Sequence, residues 1–551
     1  VWDDQAVSQK PHWARITHEG KRDSHKISFW SHYADSLLIP QLKEISDYGI
    51  DGVWVDGDCW AVEPDYHAKA QEAFRLSTGI EKIPTQKNDP NYSIWLDFHR
   101  EAFRNYVKKY TDALHAYNPK FQVASNWAFS SFMPEPVDIP IDFTSGDITP
   151  MNGVHSALFE ARVLATQSRV YQKPWDLMSW SFNTTYNTSN HALKTPLHLN
   201  QEAAEIMAVG GGYQCYFTQN RDASIKVQQV KTMAEIAKFA RARQPYCQGS
   251  EGIPQIGLLY SLAHFKKNNQ GVYNNSLTEP LRGALVALMD GQQVVEIVAE
   301  HHLKDDLARY PLIVIPEWTY LEKAFVGKLK KYVLEGGNLL VIGTTTTGLF
   351  KDELGFEPIG SPQKERFWVN VEQDLGLVND SLQQIKLWDT SNLLGQIYRQ
   401  DDIRFPAMPA ASVRSVGKGK IAGIYFNFGR SYLQFQSPQL RDFLGNIVGR
   451  LLPDPLVKVE GSRLVHVTLQ KLKEKTTVHL INAGGFHKSN EVSTYDQLPP
   501  LYDLTVTLHT PKKPQKITLQ PENIPLKFRY VAGKSTVTVP KLEIHAILVA
   551  E

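Results

Sequence analysis

Between Trp2 and about Ala240, short runs rich in β-branched and aromatic residues alternate with segments whose apolar residues recur every three or four positions. This alternation is the strongest constraint on the fold. Strands separated by helices pair in parallel through crossover connections, and each crossover lays its helix on a face of the sheet. The pattern predicts strands at 50–56, 121–127, 139–143, 174–180 and 212–218, with helices at 37–48, 92–117 and 199–207. With the stub Trp2-Asp3 the count is six strands. Closing a (β/α)8 barrel of the TIM type takes eight. Val1-Trp2-Asp3-Asp4 reads like the end of a barrel strand, so the expectation is that two βα units and most of a third strand lie upstream of Val1. A smaller open sheet is the competing reading.

The pattern restarts after 243–254, where Gly and Pro punctuate the chain. Strands are expected at 255–260, 311–316, 338–342 and 420–426, and helices at 279–290, 321–335 and 438–452. The continuous apolar runs suit buried parallel strands, which makes this an open, doubly wound α/β domain. It carries no Gly-x-Gly-x-x-Gly turn and no phosphate loop, so nucleotide binding has no support. From Leu456 onward the runs are short and alternating, at 463–469, 476–481, 504–509, 516–519 and 544–549, as in an antiparallel β-sandwich. The expected domains are a catalytic barrel at 1–245, the α/β domain at 246–453 and the sandwich at 454–551.

Charge narrows the function classes. The chain has 59 Lys and Arg against 58 Asp and Glu, a net charge of +1, which argues against a nucleic-acid binder or a polybasic membrane protein. No apolar run approaches the roughly 18 residues that span a bilayer. Cys59, Cys215 and Cys247 fit neither a metal-site spacing nor a disulfide framework, and His12, His32 and His67 share no zinc-binding spacing. No cofactor or metal is therefore expected. The cell compartment stays open, with a periplasmic or secreted location as the expectation.

In parallel barrels the chemistry sits at the C-terminal ends of the strands, so the polar residues just after each apolar run are the ones to inspect. The run 50–56 ends in Asp56-Gly57-Asp58-Cys59-Trp60, which crowds two acids and a tryptophan onto one strand end. The next run ends in Ser125-Asn126-Trp127, and the one after it in Asp142-Phe-Thr-Ser-Gly-Asp147. The run 174–180 carries Asp176 and Trp180, and Asp176 has Arg162 and Lys173 as alternative structural partners. Each acid also has an ordinary reading as a turn or helix cap, and each Trp as core. Carboxylates with flat apolar rings suit glycoside hydrolysis, which needs two carboxyl groups flanking an anomeric carbon.

These residues carry a resemblance. The stretch 38–56, Leu-Ile-Pro-Gln-Leu-Lys-Glu-Ile-Ser-Asp-Tyr-Gly-Ile-Asp-Gly-Val-Trp-Val-Asp, resembles the fourth βα approach of α-L-fucosidases, where the strand ends in the nucleophilic aspartate. The resemblance implies that Asp56 is the nucleophile. The segment 142–147 is similar to the family's strand bearing the acid/base glutamate, which implies Asp147 in that role, with Asp in place of Glu. The run 175–182 looks like the family's Trp-Glu strand, again with Asp for Glu. The stretches 308–316 and 329–341 resemble the flavodoxin-like, amidotransferase-like domain that follows the barrel in certain β-galactosidases and mediates trimerisation there. The expectation is a retaining, exo-acting glycosidase of the α-L-fucosidase-like kind acting on an oligo- or polysaccharide, with homo-oligomerisation through the α/β domain. Asp56 and Asp147 are catalytic; Asp58, Trp60, Asn126, Trp127, Asp176 and Trp180 bind substrate; Glu135 and Asp176 are reserves for the proton donor. A β-galactosidase-like specificity and a catalytically silent carbohydrate-binding protein are the alternatives.

Overall fold

The helix Tyr92–Tyr117 shows how the sequence pattern becomes packing. Trp95, His99, Phe103, Tyr106, Tyr110 and Leu114 follow one another at helical spacing, and all are buried. Each large apolar side chain so covered contributes about 1.5–3 kcal/mol. The helix stops at Tyr117 because Asn118 precedes Pro119, which disfavours helical backbone. In the computed structural model, which describes residues 1–148, 153–184, 191–304, 306–372, 374–486 and 494–551, this helix lines the core of the first of two compact units.

The first unit comprises Val1–Asp147, Gln167–Asp176 and Leu262–Leu277. Strand Gly52–Val55 pairs in parallel with Gln122–Ser125, Gly52 facing Gln122 and Val55 facing Ser125. Glycine at 52 is required by that approach: a Cβ there would lie 2.5 Å from the Gln122 carbonyl oxygen. Neighbouring segments extend the array through backbone bonds. Trp2 N–H donates to Gly57 O at 2.8 Å, Asp142 N–H to Val123 O at 2.9 Å, and Thr144 N–H to Pro174 O at 3.1 Å. The antiparallel pair Ala14–Ile16 and Arg22–Ile27 had no counterpart among the expected strands, its second strand being too charged to read as one.

The second unit comprises Ile148–Thr166, Leu177–Ser261 and Thr278–Glu551. Its central sheet runs in the order Val295–Val298, Ile256–Leu259, Leu312–Ile315, Asn338–Ile342, Gly419–Ile424, Ala411–Val416. The first five strands are parallel and the last is an antiparallel edge. Helices Glu279–Asp290, Lys323–Glu335 and Pro438–Leu451 bury their apolar faces in its core. Inserted before the edge strand is a four-stranded antiparallel sheet in the order Asp374–Leu382, Gln363–Val371, Gln396–Tyr398, Ala407–Pro409. Toward the C-terminus a four-stranded and a six-stranded antiparallel sheet share a core that includes Val459, Val467, Leu480, Val506, Val539 and Leu548. Strand Asp176–Trp180 pairs with Gly212–Tyr216, and helix Pro196–Met207 lies between them in the chain. No described helix is long and apolar enough to cross a membrane.

Candidate active site

Parallel strands bring their following residues to one end, and in the first unit this juxtaposes the acids and amides singled out in the sequence. Gly57 has a φ of +73°, a backbone that glycine adopts without strain, and it turns the chain sharply just after Asp56. The turn leaves the Asp56 side chain exposed at the strand end. Its Oδ1 accepts three hydrogen bonds: from Gly57 N–H at 2.6 Å, from Asn126 Nδ2 at 2.9 Å and from Trp60 Nε1 at 3.3 Å. Among the described residues no cation pairs with it. A carboxylate gripped through one oxygen has a fixed orientation and presents the other to the cleft, which suits attack on an electrophilic carbon.

Asn126 is buried at the end of Gln122–Ser125 and is the next-strand partner of Asp56. One residue on, Trp127 N–H donates to Ser145 O at 3.2 Å, and the Ser145 hydroxyl hydrogen-bonds Asp176. Asp147 follows two residues after Ser145 and is 8% exposed. Asp56, Asn126, Ser145 and Asp176 are thus joined through adjacent strand ends, with Asp147 on the same short segment as Ser145.

Two expected substrate contacts are buried. Asp58 has 0% exposure, and its Oδ2 accepts from Tyr110 OH at 2.9 Å and from Ser125 Oγ at 3.0 Å. Burial raises its carboxyl to about 6, against the opposing pull of those two donors. Trp127 sits at a left-handed φ of 65° and packs on Phe132 at 4.4 Å between ring centroids, inside the core. Trp60 is 40% exposed, and its indole N–H donates to Asp56. In the second unit, Trp180 is partly buried against Phe182 at 5.3 Å and Tyr216 at 6.1 Å.

Of the reserve proton donors, Glu135 is buried with Arg104 at 3.3 Å and Lys266 at 3.7 Å and accepts from Tyr273 OH at 3.2 Å. Arg162 pairs with Glu205. Sequence reasoning passed over Trp2, which is 39% exposed, lies 5.8 Å from Trp60 and is stacked on His25 at 4.6 Å. It also passed over Tyr110, which its spacing on the helix had marked as core. The three cysteines are free, and among the described residues no group of three His, Cys, Asp or Glu side chains is placed to hold a metal ion.

The fold and strand-end geometry can be set beside known proteins. Residues 289–392 match the family model described as the β-galactosidase trimerisation domain. Among solved structures, α-L-fucosidase isoenzyme 2 from Paenibacillus thiaminolyticus superposes with a TM-score of 0.80 at 19% identity, over 100% of this chain and 86% of that one. A GH42 β-galactosidase from G. stearothermophilus gives 0.70 at 15%, over 99% and 86%, and a β-galactosidase from Bacillus circulans sp. alkalophilus gives 0.70 at 13%, over 100% and 87%. None of the curated proteins compared with the chain matches it in sequence. The chain has the fold shared by these fucosidase-like and β-galactosidase barrel glycosidases with a trimerisation domain.

Proposed function

We propose that this protein is a glycoside hydrolase, a retaining, exo-acting enzyme of the α-L-fucosidase-like kind that removes a terminal sugar from an oligo- or polysaccharide. The observation that carries the reading is the exposed Asp56 carboxylate, held through one oxygen by Gly57, Asn126 and Trp60 at the end of a parallel strand. Asp56 attacks the anomeric carbon, the glycosidic oxygen leaves with a proton from Asp147, and water then releases the sugar with Asp147 as base. Asp176, hydrogen-bonded to the Ser145 hydroxyl, is the proposed substrate contact on that segment. A β-galactosidase-like specificity is the second reading, favoured by the match of 289–392 to the trimerisation domain. A binding protein without turnover is the third.

The same proposal divides the chain into a barrel part at 1–245, a flavodoxin-like domain at 246–453 and a β-sandwich at 454–551. The strand order of the central sheet, with the first two strands exchanged in space, supports the flavodoxin-like label. Homo-oligomerisation through the α/β domain completes the picture.

Hydrolysis of aryl α-L-fucosides and β-D-galactosides, with the first-formed anomer read by NMR, separates the readings. Retention on a fucoside supports the first, activity confined to galactosides the second, and no turnover on either the third. Asp147→Ala should slow substrates with poor leaving groups far more than nitrophenyl glycosides, which depart without a proton. Equal losses would remove Asp147 from the role.

A further inference from the structure

Beyond Asp56 lies an aromatic face that the proposed chemistry does not use. Trp2 and Trp60 are exposed at 39% and 40%, with ring centroids 5.8 Å apart and planes inclined by 31°. They form an angled wall and not a closed stack. Trp2 is fixed from behind: His25 stacks on it at 4.6 Å and 6°, its N–H bonds Gly57 O at 2.8 Å, and it bridges Lys26. Large apolar rings normally retreat into a core. Two held open side by side at a strand end, with only the nearer one bonded to the candidate nucleophile, call for a flat ligand.

We infer that Trp2 and Trp60 form the subsite for the leaving-group sugar, stacking the apolar face of the pyranose ring next to the one that Asp56 attacks. The inference rests on the glycosidase reading of that site. Trp60 touches Asp56 through its indole N–H, so its ring borders the sugar being cleaved. Trp2 is the neighbouring ring, its centroid 5.8 Å from that of Trp60. For an exo-acting enzyme the next sugar is the leaving group. The partly exposed His25 imidazole and the Lys26–Glu63 pair flank Trp2 and supply polar groups for the hydroxyls at the ring's edge.

The test compares a trisaccharide ending in the sugar cleaved with the glycosyl fluoride of that sugar, whose leaving group is too small to reach Trp2. Trp2→Ala should raise KM for the trisaccharide about three- to tenfold more than for the fluoride, the scale of one lost aromatic contact. Trp2→Phe should restore most of the difference, which a merely misfolded strand end would not allow. Equal changes on both substrates, or none on the trisaccharide, overturn the subsite. If the wild type hydrolyses neither substrate, the glycosidase reading fails and the subsite is judged by trisaccharide binding alone, followed by tryptophan fluorescence. Binding left unweakened by Trp2→Ala then overturns it.

Discussion

Two polar clusters in this molecule handle charge in opposite ways. At the strand ends of the first unit, Asp56 is exposed, held by neutral donors, and has no cation beside it among the described residues. In the second unit, six buried side chains from four helices and a strand form a hydrogen-bonded ionic chain. Arg162 pairs with Glu205 at 3.4 Å and donates to Thr468 at 3.1 Å; His466 bonds Glu205 at 2.6 Å and Asp290 at 3.4 Å; Tyr432 donates to Asp290 at 2.7 Å. Burying charge is tolerated only when it is paired, whereas a carboxylate meant to react must keep an oxygen available. The first cluster leaves a carboxylate oxygen open, as the proposed chemistry needs, and the second ties four helices and a strand together.

The comparison breaks most visibly at Asp56. Asp56→Gly should lower turnover by a factor on the order of 10⁴, as loss of a nucleophile does, while the stability of an exposed site moves by less than about 0.5 kcal/mol. Azide should restore part of the rate by forming a glycosyl azide of inverted configuration. Kinetics with product NMR, beside a urea titration, reads both; rescue of Asp58→Gly instead would move the nucleophile two residues on.

Glu205→Ala should do the reverse. It strands Arg162 and His466 in the interior, a loss of about 3–5 kcal/mol in unfolding free energy. Whatever protein remains folded at low temperature should keep KM close to wild type. A variant as stable as wild type would show that the ionic chain is not closed in solution.

The same chain sets a pH window. Burial alone would lower the His466 pKa, but Glu205 and Asp290 outweigh it and hold it above 6.5. Burial alone would raise Glu205, but His466 and Arg162 outweigh it and hold it below 4.5, with His155 adding to them. A raised histidine stabilises fully below its unfolded value and loses that contribution as pH rises through the folded one. A lowered carboxylate stabilises above its unfolded value and loses it as pH falls. The combined contribution is therefore complete between pH 4.5 and 6.5 and declines on both sides. Melting temperatures from pH 4 to pH 9 should show His466→Gln losing most ground to wild type inside that window and least at the alkaline end. A constant gap would sink the assignment.

How much of this was legible in the sequence differs between the clusters for a physical reason. Strand ends are local: Asp56, Asn126 and Asp147 each follow an apolar run, so period and punctuation place them without knowledge of the fold. Which of two neighbouring acids faces the cleft is not local. Asp58 is drawn under the strands by Tyr110 and Ser125, 52 and 67 residues away in the chain. Trp127 packs into the core on Phe132 from a left-handed backbone, a conformation its sequence does not announce. Nor was the ionic chain legible, since Glu205 and His466 lie 261 residues apart. The inserted antiparallel sheet went unread because its alternation sits inside a domain whose other strands are continuous apolar runs.

The smallest effect sharpens the comparison at its finest point, the share of each donor in holding Asp56. The Trp60 indole N–H reaches Oδ1 at 3.3 Å, beyond the usual 2.7–3.2 Å range, and its ring is 40% exposed, so water competes for the same oxygen. Gly57 N–H at 2.6 Å and Asn126 Nδ2 at 2.9 Å are shorter, and the second comes from a buried side chain. Trp60→Phe removes the weakest of the three donors and keeps an aromatic ring beside Trp2. It should lower kcat by about three- to tenfold, the worth of roughly one net hydrogen bond at most, with little change in KM. Asn126→Ala removes a shorter bond and leaves a gap next to the carboxylate, so its kcat should fall further than that of Trp60→Phe under the same conditions. If the order is reversed, the indole and not the amide is what aims Asp56.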